Sequence, residues 1–103
     1  MRIALAVSLI LTALPARAAY IEGKLGLACK SLDDQSRIDQ ASAAGGRDAT
    51  VKAVSAALAD GRCFVLPAGL PVVIEDRNWL YRCVRKVGAG GACFWIGRRN
   101  VVE

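Results

Sequence analysis

The 103-residue chain carries 14 Lys and Arg against nine Asp and Glu, a formal charge of +5, with four cysteines and no histidine. The missing histidine removes the commonest general base and metal ligand, so neither a Ser-His-Asp nor a Cys-His catalytic arrangement can be built. A chain this short makes one domain with a small core, and four cysteines in it are most simply two disulfides of an oxidising compartment.

Met1-Arg2 is a short positive lead, followed by an apolar run of twelve residues, Ile3 to Leu14. A membrane-crossing helix needs roughly 20 residues, so this run is too short to span. Pro15-Ala16-Arg17-Ala18 supplies a helix break and an Ala-x-Ala site. The combination predicts a signal peptide over 1–18 and an exported, soluble product, periplasmic or extracellular, with no stable membrane insertion. Cys29 lies too far past the cleavage point for a lipoprotein. Removing 1–18 takes away Arg2 and Arg17 and lowers the charge from +5 to +3 over the remaining 85 residues.

Tyr20 to Ala28 is spaced by glycines and reads as extended chain that delivers Cys29. Ser31 then caps a helix with Asp33 and Asp34 in its first turn, where acids suit the positive end of the dipole. Leu32, Ile38 and Ala41 form its apolar stripe, and Gly45-Gly46 ends it. Asp48 or Thr50 caps a second helix in which Val51, Val54 and Leu58 recur, with Asp60-Gly61 as its stop. The region 19–60 is thus an extended lead-in and a short helical hairpin.

From Gly61 onward, short apolar runs alternate with turn residues. Gly61 to Leu66 is followed by the tight turn Pro67-Ala68-Gly69. Leu70 to Ile74 is a second strand, with Pro71 restricted to a sheet edge or to the first residues of the strand. After a loop at Glu75 to Asn78 comes Trp79 to Arg85, rich in aromatic and β-branched residues. The turn Lys86 to Gly91 carries three glycines, Ala92 to Gly97 returns, and Asn100 to Val102 is a short last strand. Five short strands at this spacing suggest a small barrel.

Four cysteines allow three pairings. If the glycine turn is centred on Gly88, Cys83 faces Cys93 across the hairpin, within reach of a disulfide. That leaves Cys29 with Cys63, tying the helical hairpin to the first strand. By loop entropy the two bridges contribute about 3 and about 4 kcal/mol, comparable with the net stability of a small domain.

The order Gly61-Arg62-Cys63, Leu66-Pro67-x-Gly69-x-Pro71-Val72-x-Ile74, Tyr81-x-Cys83-Val84-Arg85 and Gly91-x-Cys93-Phe94-Trp95-Ile96 resembles the small SH3-like domains of exported bacterial proteins. The resemblance covers 61–103, about half of the mature chain. Its helical lead-in and paired cysteines depart from the ordinary pattern, and no site residue is carried over from it. The resulting expectation is an α+β protein: signal peptide 1–18, lead-in and helices 19–60, and a five-stranded SH3-like barrel 61–103 held by two disulfides.

The wide gaps between cysteines and the oxidising compartment argue against a metal site. Gly88-Ala89-Gly90-Gly91 lacks the Lys-Ser/Thr and the following helix of a phosphate loop. Glu75 and Asp76 with Asp48 or Asp60 are the carboxylates available for acid-base work, and solvated turn acids explain them as well. The expectation is therefore no catalytic residue, no metal and no cofactor.

Seven cations, Arg62, Arg77, Arg82, Arg85, Lys86, Arg98 and Arg99, face three acids in 61–103, giving +4 there against −1 in 19–60. This basic face suits an anionic partner, with nucleic acid disfavoured by export. The competing reading is that these arginines flank strands as solvated, stem-packed residues. Among the aromatics, Trp79, Tyr81 and Cys83 share one strand face, which burial beside a disulfide explains. Phe94 and Trp95 point to opposite faces. The sequence thus suggests a non-enzymatic binding module of the cell envelope that recognises a cell-wall polymer or an envelope protein through Tyr81, Arg82, Trp95, Arg98 and Arg99. The alternative is a small secreted inhibitor of a wall hydrolase or other enzyme, acting through Glu75 to Asn78.

Overall fold

The computed structural model describes residues 19–103; the expected signal peptide at 1–18 lies outside the described residues. The protein is α+β. Its strands are β1 (Ala19–Ile21), β2 (Gly26–Cys29), β3 (Cys63–Leu66), β4 (Pro71–Arg77), β5 (Tyr81–Lys86), β6 (Phe94–Gly97) and β7 (Val101–Val102). One helical span, α1 (Leu32–Ala59), stands between β2 and β3, and a 3₁₀ turn at Arg98–Asn100 joins β6 to β7. The strands form one antiparallel sheet in the order β3-β2-β6-β5-β4-β1-β7. Seven strands replace the expected five, because the extended lead-in supplies β1 and β2.

The expected pair of helices forms the two arms of α1, separated at Gly46, which alone leaves helical geometry, at φ 72° and ψ −153°. A straight 28-residue helix would separate its ends by about 42 Å. Instead the ends meet: Lys30 N–H donates to the Arg62 carbonyl at 2.9 Å, and the Arg62 guanidinium pairs with Asp34 at 2.8 Å and Asp60 at 3.1 Å. The chain therefore reverses at Gly46. Ser31 caps the first arm as expected, its hydroxyl accepting from the Asp34 N–H. Thr50 caps nothing; its hydroxyl donates to the Gly46 carbonyl at 2.7 Å. At the C-terminus Gly61 N–H reaches the Leu58 carbonyl and Arg62 N–H the Ala57 carbonyl, with Gly61 at φ 73°. That double closure on a left-handed glycine is how helices commonly end.

Alternation along the strands gives the sheet two apolar faces. One gathers Ala19, Ile21, Ala28, Leu66, Val72, Val84, Ile96 and Val101, with Phe64 and Phe94 packed edge-on at 4.7 Å between ring centroids. The other carries Leu27, Cys29 and Cys63, covered by Ile38, Ala53, Val54 and Ala57 of α1. In the second arm Ala57 is buried and Ala53 and Val54 are half-buried, while Val51 and Leu58, read as part of its apolar stripe, are exposed. Small residues win there because the arm lies close over the disulfide. Gln35 fixes the first arm, donating to the carbonyls of Leu27 at 2.6 Å and Trp95 at 2.7 Å.

Both disulfides have the expected partners, Cys29–Cys63 and Cys83–Cys93. Cys29 and Cys63 are directly opposed in the β2–β3 ladder. The second pair forms on a different register from the expected one: Cys83 opposes Trp95 and Val84 opposes Phe94. Cys93 precedes β6, so the bridge closes the mouth of the glycine turn. Pro71 opens β4, where its missing N–H is tolerated, although β4 is an inner strand.

Candidate functional site

The turn between β4 and β5 is built by Asn78. Its side-chain oxygen accepts from the N–H groups of Leu80 and Tyr81, at 2.9 and 2.8 Å, and its own N–H donates to the Tyr81 carbonyl. Arg98 N–H then donates to the Leu80 carbonyl at 2.9 Å, locking the 3₁₀ turn against this tip. The result is a fixed platform on which Trp79 is 78% exposed and Leu80 52% exposed, with the Arg98 guanidinium 5.3 Å from the centroid of the Trp79 ring. Trp79 is therefore not a buried strand residue beside the disulfide; only Tyr81 and Cys83 of that trio are buried.

Beside the platform lies a groove of about 480 Å³, walled by Asp39 and Ser42 of α1, by Leu80 and Tyr81, and by Arg98 and Arg99. Its volume falls in the range of small-molecule sites. The Tyr81 hydroxyl donates to the Asp39 carboxylate across it. Burial, then this hydrogen bond, pushes the Tyr81 hydroxyl up to about 12.

Of the residues singled out from sequence, Tyr81, Arg98 and Arg99 meet at this groove. Arg82 does not. It lies on the opposite strand face, its side chain mostly buried and bonded to Glu103 at 2.8 Å and to the carbonyls of Asn78 and Tyr81. Trp95 is half-buried and pairs with Cys29 and Cys83, away from the groove. The basic face also shrinks: Arg62, Arg77, Arg82 and Arg85 are each within 3.1 Å of a carboxylate oxygen. Among the described residues no carboxylate lies within 4.0 Å of Arg98 or Arg99.

The expected loop at Glu75 to Asn78 is mostly strand. Glu75 sits at an irregularity of the β4–β5 ladder and accepts from Arg85, and Asp76 accepts from the Arg77 N–H. The projecting tip is Trp79–Leu80 instead, and the Trp79 side chain was the residue missed. Its signal was available: an Asn at the start of a tight turn binds the next N–H groups, which takes the following residue off the strand.

Among the described residues no group of three or more metal-ligating side chains occurs, and no helix is long and apolar enough to cross a membrane. No family model, curated protein or solved structure matches the chain.

Proposed function

We propose that the protein is an exported, non-enzymatic binding module that holds an anionic component of the cell envelope, a wall polymer or an envelope protein, at the Tyr81–Arg98–Arg99 groove. The observation that carries this reading is the pair Arg98 and Arg99. They stay solvent-exposed and without a carboxylate partner while four other arginines of the strand half are paired. Two disulfides that link all four cysteines support an oxidising compartment. The β4–β5–β6 meander, the 3₁₀ turn and the return of β7 to β1 support an SH3-like reading of β1, β4, β5, β6 and β7, with β1 drawn from the lead-in and β3 paired to β2 outside that set. The inhibitor reading has less support, since three of its four loop residues lie in β4.

The test is sedimentation of the oxidised protein with isolated cell-wall sacculi. Co-sedimentation that fades as salt rises, and is lost in R98A/R99A, is the expected result. Protein left in the supernatant at low salt excludes wall polymer and moves the search to an envelope protein.

A further inference from the structure

Resting on that reading, we propose that the Trp79 platform and the groove beside it take a sugar ring bearing a carboxylate, with the ring on Trp79 and the carboxylate on Arg98 and Arg99. Three features favour this chemistry. An indole exposed at 78% on a rigid tip, with one cation against it, offers a flat apolar surface to the C–H face of a pyranose. Arginine presents a planar fork that matches a carboxylate, and both guanidinium groups are uncommitted to any acid.

The third feature is the rest of the lining. Asp39 and Ser42 of α1 line the same groove as the arginines, so the site is not uniformly cationic. A polyphosphate chain or a nucleic acid would set its phosphates against Asp39. A ring with hydroxyls at one end and a carboxylate at the other meets an acceptor, a hydroxyl and two donors in one lining. A lipid surface would use the exposed Trp79 and Leu80 but leave Asp39 and Ser42 without a role.

Titration calorimetry of the oxidised mature protein with a galacturonate hexamer, against a neutral glucose hexamer of equal length, tests the proposal. Binding of the uronate with at least tenfold preference is expected, reduced at least tenfold in W79A and again in R98A/R99A. All three side chains are exposed, so the variants should keep the parent's melting temperature, and that is measured alongside. Equal binding of both hexamers, or uronate binding unchanged in W79A, overturns it. So does capture by phosphatidylglycerol vesicles through Trp79 with no uronate binding. If sacculi bind but the uronate does not, this inference fails and the binding-module reading stands; if neither binds, this inference fails and the binding-module reading loses its wall polymer, keeping only an envelope protein.

Discussion

Three ionisable side chains bear on how stability should follow pH: Asp34 and Glu103, the latter held below its ordinary value first by its hydrogen bond from Arg82, on the acid side, and Tyr81 on the alkaline side. Hydrogen bonding from Ser31, then the Arg62 guanidinium, hold the Asp34 carboxyl below its ordinary range against an opposing effect of burial. A depressed folded value means that stability is present above the usual carboxylate range and is lost as pH falls through it. Tyr81 behaves oppositely. Its folded value of about 12 exceeds the ordinary 10, so its contribution is complete below pH 10 and is lost as pH rises from 10 towards 12. Urea titrations across pH should show both limbs, the acid one flattened in D34N and the alkaline one in Y81F. At Gly26 the constraint is steric: a Cβ there would lie 2.8 Å from the Leu66 carbonyl oxygen and 2.9 Å from the Ile21 side chain. G26A is expected to lower unfolding free energy by about 2 kcal/mol through overpacking at the β2–β3 pair, read by denaturant titration.

Among the elements, α1 depends on one residue. Gly46 has open space around its Cα, so the barrier to a side chain is its backbone conformation, a region almost confined to glycine. G46A should cost about 1–3 kcal/mol with helical circular dichroism retained, because the arms persist while the reversal is strained. The Gly45-Gly46 break was legible in the sequence, as were Ser31, Asp60-Gly61 and the turn at Gly69, since each depends on local chemistry. The strand count was not. β1 is three residues and β2 four, and each is held by partners more than forty or thirty positions away, which no local pattern encodes. The same limit applies to the site. Arg98 and Arg82 look alike in sequence, and only the packing of Glu103 and Asn78 distinguishes a structural arginine from an available one.

At the scale of the whole molecule, the two apolar faces of a seven-stranded sheet share little more than eighty residues, so the covalent links carry much of the fold. Cys29–Cys63 closes 34 positions and Cys83–Cys93 closes ten. Removal of the first pair in C29A/C63A should cost about 4 kcal/mol and of the second in C83A/C93A about 3 kcal/mol, with the larger variant closer to unfolded at 37 °C. Thermal melts of the two double variants give the order directly.

The Cys29–Cys63 bridge also makes the helical arms a closed appendage, entered and left at a single covalent junction. Arg47 is exposed and directly follows Gly46, the one residue of α1 outside helical geometry, so the reversal is where a protease reaches the chain. A single cut there would yield a two-chain molecule whose halves stay bonded. It should run as one species on a non-reducing gel and as two after reduction, with the groove still assembled in the nicked form.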